Sequence, residues 1–373
     1  MKNICISTFN GEKMKKKFIM FFSIILSVVL LSGCTFVNSI VPKAEIPVLT
    51  SSEQQERIAQ ISSEYVDTVV TVMVVRASDE VTESFGSGVV VHEDGFIATN
   101  YHVIDKVLQD FNSLYSLKVV FNSSDFLHNA TIEWANVMLD VAIIKVEVNV
   151  PVYAPMKDRF IFAPEEERLY TLETVIAIGT PISYSYKNTV TLGTISSKEG
   201  RISSSDGNVY EQLIQHTAFI NHGNSGGGLF DLHGNLIGLN TLGYDDAHGL
   251  FFAVSIYPII DVLDKVVAAH NAGHKFALGV LGVEAVDRYQ AKDFGSNFDG
   301  KGLSVVSVLE GNAASGLLQV GDEIVKAKVG DFTIDIDIRN EFVYALLKTT
   351  KGTNLQLTIK RDNQTQTVDL VLG

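Results

Sequence analysis

A serine set among glycines, His222-Gly223-Asn224-Ser225-Gly226-Gly227-Gly228, stands far downstream of a histidine in Ala98-Thr99-Asn100-Tyr101-His102-Val103 and of an aspartate in Leu139-Asp140-Val141-Ala142-Ile143-Ile144. These three residue types can carry out acyl transfer. A serine hydroxyl is a weak nucleophile and needs both a base and an electrostatic trap for the tetrahedral oxyanion. His102 suits the base toward Ser225 and then the acid toward the leaving amine, while Asp140 suits the group that orients the imidazole and stabilises its charged form. The glycines suit the trap, because backbone N–H groups of Gly223 and Ser225 can point into one concavity only in a turn that glycine tolerates. Taken singly, His102 reads equally as a core histidine, Asp140 as a turn residue and Ser225 as a loop hydroxyl; it is their joint contexts and order that point to a triad.

The elements that would position them are mostly strands. A helix is expected from Ser52 to Val66, with Ile58, Ile61 and Tyr65 at helical spacing. Short strands are expected at Thr68–Val75, Gly88–His92, Phe96–Thr99, Lys118–Phe121, Ala130–Trp134, Val141–Val146 and Thr174–Ile178. Further strands follow at Val190–Ser196, Leu213–Thr217, Leu236–Thr241 and Leu250–Val254. Many short strands with Gly-rich turns indicate a barrel or sandwich rather than βαβ units. The order His, Asp, Ser is that of chymotrypsin-like double β-barrels, not of subtilisins or α/β-hydrolases. An amphipathic helix at Tyr257–Ala269, closed by Gly273 as its C-cap, ends this first body. Beyond it lie expected strands at Leu303–Val308, Glu323–Lys328, Asn354–Lys360 and Thr365–Val371 and a helix at Arg339–Lys348. The chain shows no internal repeat and no low-complexity tract.

The N-terminus speaks to compartment. Met14, the expected start, is followed by Lys15-Lys16-Lys17, an apolar run from Phe18 to Leu31, and Ser32-Gly33-Cys34. That is the layout of a secretory signal over residues 1–33, too short to span a bilayer comfortably. Leu31-Ser32-Gly33-Cys34 resembles the lipobox of bacterial lipoproteins, which implies lipidation at Cys34; an uncleaved anchor is the alternative. Residues 34–52 read as a polar tether. The two cysteines are Cys5 and Cys34, so a chain cut before Cys34 has no internal disulfide and relies on packed cores. The net charge is −14, and the five Lys and one Glu of residues 1–33 leave the remainder near −18. That balance, with no cluster of Lys and Arg, disfavours nucleic acid and anionic membrane surfaces as partners. No His, Cys or carboxylate pattern has metal-ligand spacing, phosphate-binding glycine loops are absent, and the chemistry calls for no cofactor.

The stretches Gly86-Ser87-Gly88-Val89-Val90, Ile97–Ile104, Asp140–Val146, Ala177–Pro181, Thr189–Ser196 and Ile220–Gly227 closely resemble the HtrA/Deg family of bacterial PDZ-containing serine proteases, over about Ser52 to Gly373. The resemblance implies a mostly β chain. A chymotrypsin-like double β-barrel over residues 53–272 would be followed by a small α+β PDZ domain over 273–373. It implies His102, Asp140 and Ser225 as catalytic residues, and an oxyanion hole on the backbone of Gly223, Asn224 and Ser225. Phe219 would floor the primary pocket and Leu239, Asn240 and Thr241 would wall it, for cleavage after small or medium apolar residues. His222 either touches substrate or is a half-exposed loop residue. Digestive relatives carry an acid where Asn224 stands, so activation by N-terminal cutting is not expected. Control would fall to loops at Phe160–Glu173, Tyr184–Asn188, Arg201–Tyr210 and Leu242–Leu250. Ala277-Leu278-Gly279-Val280 matches the PDZ loop that binds a peptide carboxylate. The implied protein is an extracytoplasmic, lipid-anchored endopeptidase of unfolded or mislocalised polypeptides, recognising peptide C-termini and assembling as a homotrimer or larger. A PDZ-dominated sensor or holdase, and a dedicated processing protease for one membrane signalling partner, remain open alternatives.

Overall fold

The structure, a computed structural model, describes residues 51–373 apart from 125, 151, 181–188, 204–208, 244–248 and 293–294. The expected leader, Cys34 and the tether up to residue 50 lie outside the described residues, as do Tyr184–Asn188 and the middle portions of Arg201–Tyr210 and Leu242–Leu250; Ser51 and Ser52, expected as the end of the tether, are helical.

Two closed six-stranded barrels follow one another. The first comprises β1 (Val69–Arg76), β2 (Thr82–His92), β3 (Phe96–Thr99), β4 (Tyr115–Val120), β5 (Leu127–Asn136) and β6 (Val141–Val146), in spatial order β1-β2-β3-β6-β5-β4. The second comprises β7 (Thr174–Gly179), β8 (Thr189–Ser203), β9 (Val209–His216), β10 (Gly228–Asp231), β11 (Leu236–Gly243) and β12 (Phe251–Ser255), in order β10-β11-β12-β9-β8-β7. The near-continuous apolar strands have a physical origin. In β1, Val70, Val72 and Val74 fill the first barrel while Val69 faces a shared core between the barrels; in β6, Ala142 and Ile144 point in while Val141 and Ile143 point to the shared core. With both faces buried, a period-2 pattern loses its polar half.

Helix α1 (Ser51–Tyr65) is docked by Ile61 in the shared core, by Tyr65 stacked on Phe230 at 5.4 Å, and by Arg57 donating to the carbonyls of Leu232 at 2.8 Å and His233 at 2.7 Å. Helix α2 (Tyr101–Leu108) lies between β3 and β4 and was not expected, because eight residues offer barely two turns of periodicity. Helix α3 (Tyr257–Asn271) closes with Gly273 at φ +77°, a left-handed C′ position in which glycine carries no Cβ penalty.

The C-terminal sheet runs β13-β14-β15-β17-β18, with β16 paired to β15: β13 (Val283–Val286), β14 (Leu303–Val308), β15 (Glu323–Val329), β16 (Phe332–Asp335), β17 (Asn354–Arg361) and β18 (Gln364–Val371). Helix α4 (Arg339–Leu347) is apolar from Phe342 onward because that part is packed on both sides. Phe342 and Ala345 pack into the C-terminal core, while Val343, Tyr344 and Leu347 pack into the shared core of the barrels. Polar groups line the same seam. Asn340 donates to the Glu211 carbonyl at 2.9 Å, Arg339 to the Val209 carbonyl at 2.9 Å, Gln212 to the Glu341 carboxylate at 2.7 Å and Lys265 to the Leu347 carbonyl at 2.8 Å. Glu211 and Asp287, both buried, place two carboxyls side by side there. The architecture is therefore mostly β, a double barrel followed by a small α+β domain.

Candidate active site

The three expected residues come from three different places on the double barrel. His102 is in the first turn of α2, Asp140 in the turn before β6, and Ser225 in the turn before β10. Asp140 is fully buried and holds a left-handed backbone, φ +51°, which the short polar side chain of aspartate tolerates better than most. Its carboxylate accepts from the His102 ring Nδ1 at 2.9 Å, from the His102 backbone N–H at 3.1 Å and from the Thr241 hydroxyl at 2.8 Å. Asn100 holds the Asp140 carbonyl at 2.8 Å. With a carboxylate at Nδ1, the imidazole carries its proton on that side and presents Nε2 as the base. His102 and Ser225 line the same cleft of about 500 Å³, together with Thr82, Phe85, His222 and Gly223. His222 is exposed at its rim.

The turn carrying Ser225 is held on nearly every peptide. The Ser225 carbonyl accepts from Ser87 N–H at 2.7 Å, the Asn224 carbonyl from Gly227 N–H at 2.9 Å, and Gly226 N–H donates to Asn240 at 2.8 Å. Gly226 has φ +84°, and a Cβ there would lie 2.0 Å from the Ser87 carbonyl oxygen, so only glycine fits. Asn224 N–H donates to the Asn221 carbonyl at 3.0 Å. It is therefore withdrawn from the expected oxyanion hole, which is left to Gly223 and Ser225. The Asn224 side chain is buried, and its Oδ1 has no hydrogen-bond partner among the described residues.

The pocket residues separate. Phe219 is 53% exposed, with its edge on Phe251 at 5.2 Å between ring centroids, so it offers an open apolar platform rather than a closed floor. Leu239 is not a wall: it is fully buried in the shared core. Neither is Asn240, whose Nδ2 donates to the Gly228 carbonyl at 3.0 Å and whose backbone pairs with Gly226 and Gly227. Thr241 is turned inward to Asp140 and serves the histidine–aspartate pair, a role the sequence reading missed. Alternation along β11 puts Leu239 and Thr241 on one face, turned inward, and Asn240 on the other is taken up by the turn that carries Ser225. Near this region His216 is fully buried beneath Phe251, and burial pushes its imidazole down to about 4, so it is neutral.

The expected carboxylate loop is partly consumed. Gly279 N–H donates to the Thr349 hydroxyl at 3.3 Å, and Val280 exchanges both backbone hydrogen bonds with Gly373 at 3.1 Å. Ala277 and Leu278 line a groove of about 860 Å³ against β4 and β5. Two of the four N–H groups thus serve the domain itself, one bonded to the Thr349 hydroxyl just after α4 and the other to Gly373, two residues past β18. Among the described residues no three His, Cys, Asp or Glu side chains gather to hold a metal ion.

Residues 86–239 match the trypsin-like peptidase domain and residues 279–372 the PDZ domain. Similar proteins include one described as "Probable periplasmic serine endoprotease DegP-like" from Pseudomonas savastanoi pv. phaseolicola, 32% identical over 298 residues, covering 78% of this chain and 56% of that protein. Another of the same description, from Hahella chejuensis, is 29% identical over 303 residues, covering 80% and 59%. The chain spans little more than half the length of these curated relatives. Similar folds include the serine endoprotease from Yersinia pestis, with a TM-score of 0.57 and 23% identity over 87% of this chain and 98% of that one. The HtrA-type protease AlgW with decapeptide has a TM-score of 0.59 and 22% identity over 85% and 98%.

Proposed function

From a chain built of a trypsin-like peptidase domain followed by a PDZ domain, and similar in sequence to DegP-like serine endoproteases, we propose a serine endopeptidase that cuts unfolded or mislocalised polypeptides outside the cytoplasm. The observation that carries this reading is the buried Asp140 carboxylate, bound by His102 and Thr241, with His102 and Ser225 facing one cleft.

The Ser225 hydroxyl attacks the scissile carbonyl and passes its proton to His102 Nε2. The oxyanion that forms is met by the N–H groups of Gly223 and Ser225. Collapse breaks the C–N bond, the leaving amine takes the proton from His102, and an acyl-enzyme on Ser225 remains. Water, deprotonated by His102, then releases the acid and restores the serine. Asp140 orients the imidazole and stabilises the imidazolium that forms. Phe219 receives a small or medium apolar side chain beside the scissile bond. In this reading Cys34 carries the lipid anchor, the PDZ domain recognises exposed C-termini after its loop opens, and the protein works as a homotrimer or larger. The periplasmic description of the relatives supports the compartment.

Casein digestion by the purified chain, with and without apolar C-terminal peptides, compared with Ser225→Ala, tests the proposal. Fragments that require Ser225, and labelling of Ser225 by a fluorophosphonate, are expected. Intact casein and no labelling under both conditions would overturn it.

A further inference from the structure

Among the fully buried hydroxyls of the described residues that the mechanism does not use, Ser87 is the one bonded to the turn that carries Ser225. Ser87, in β2 of the first barrel, is 0% exposed and touches the nucleophile turn of the second barrel at two points. Its N–H donates to the Ser225 carbonyl at 2.7 Å and its hydroxyl lies 2.8 Å from the Gly223 carbonyl. Thr180 N–H donates to the same hydroxyl oxygen at 2.9 Å. A hydroxyl has one proton, and an N–H can only donate. The Ser87 proton is therefore directed at Gly223, with no alternative acceptor needed. The Ser87 carbonyl in turn accepts from the Thr99 hydroxyl at 2.7 Å, three residues before His102.

We propose that Ser87 is a positioning residue for oxyanion stabilisation, holding the peptides on either side of the Asn224–Ser225 unit so that the Ser225 N–H stays on its line. The reasoning is geometric. The Gly223–Asn224 peptide is held by the Ser87 hydroxyl and the Ser225–Gly226 peptide by the Ser87 N–H; the peptide between them is held by Gly227. Three consecutive planes are thereby tied down, and the direction of the Ser225 N–H follows from them. Gly223, at φ +97°, needs such a tie because glycine has no side chain to restrict its peptide. Preorganised donors lower the barrier only if they do not have to reorient during reaction. The hydroxyl also joins the end of β7, at Thr180, to this turn, so that both barrels bear on one carbonyl. Thr180 is itself held by the Thr71 hydroxyl at 3.1 Å.

This inference rests on the peptidase reading, and the test separates the two. Peptide hydrolysis by the full chain is first compared with Ser225→Ala; absence of Ser225-dependent cleavage overturns both. Given that activity, Ser87→Ala is expected to lower kcat by about 10- to 100-fold, a part of what losing a whole oxyanion donor costs, with KM within about twofold. The inhibition constant of a peptide aldehyde, whose hemiacetal oxygen occupies the oxyanion position, should rise by a similar factor. Ser87→Cys, which keeps the shape and a weak donor, should fall between the two. Active-site titration of each variant counts the folded enzyme. A kcat within twofold of wild type, an unchanged aldehyde constant, or a loss of rate matched by a loss of titratable sites would each overturn the role.

Discussion

The seam between the second barrel and the PDZ domain makes stability depend on pH in a direction that can be worked out. Glu211, 6% exposed, is pushed up to about 8 by burial and then by the neighbouring Asp287 carboxylate, against the opposing pull of Arg201 and Arg339. In the folded state it keeps a proton that the unfolded chain has already lost, so stability falls as pH rises from the ordinary glutamate range toward 8. Each unit costs about 1.4 kcal/mol. His216 acts at the acid end. Pushed down to about 4 by burial, it stays neutral where the unfolded chain is charged, and stability falls as pH drops below about 6.5. Between about 4.5 and 6.5 the two slopes oppose each other, whereas above 6.5 Glu211 acts alone of this pair. From pH 6.5 to 8 the loss should reach about 2 kcal/mol, a substantial part of the 5–15 kcal/mol typical of a folded domain. Glu211→Gln keeps the shape and a donor toward Asp287 but cannot ionise. Urea unfolding at pH 6.5, 7.2 and 8.0 can be followed by the fluorescence of Trp134, the one tryptophan, which is buried. Wild type should lose about 2 kcal/mol across this range and the variant less than half as much. Parallel profiles for the two proteins would refute the assignment of the slope to Glu211.

Three further outcomes are expected. Thr241→Val removes a 2.8 Å hydrogen bond to a buried carboxylate, and kcat for peptide hydrolysis should fall about tenfold, in line with bonds to charged groups; an unchanged rate would leave Thr241 as packing only. Gly226→Ala places a Cβ 2.0 Å from the Ser87 oxygen at φ +84° and should cost at least about 2 kcal/mol in urea unfolding and abolish cleavage. Phe219→Ala should shift preference from small or medium apolar residues toward larger ones in a peptide library, since it removes the platform on Phe251; wild-type cleavage mainly after Lys or Arg would refute the pocket.

Strands with a strong local pattern were legible. Phe96–Thr99, Val141–Val146 and Leu303–Val308 have the expected bounds, and α1 and α3 lie within two residues of theirs at each end. Elements lacking a pattern of their own were missed. β10 hides in the tail of a glycine run, β13 and β16 are short and carry an acidic residue each where the equally short Phe96–Thr99 is buried throughout, and α2 is too short to show a period. At the site, His102, Asp140 and Ser225 could be picked out because their contexts occur together and in the order His, Asp, Ser, although each alone has an ordinary reading. The neighbours could not: Leu239 and Asn240 look like a pocket wall on paper, yet one faces the core and the other scaffolds the turn.

Residue types and local spacing, which the sequence contains in full, determined the strand-rich plan, the two-body order and the three side chains suited to acyl transfer. The tertiary structure alone decided how each backbone and hydroxyl group is used. Thr241 reaches Asp140 across 101 residues and Ser87 reaches Gly223 across 136, while Asn224 spends its N–H three residues back on Asn221. A hydrogen-bond donor has one direction and few partners, and that direction is set by where the barrels close, not by the identity of the residue.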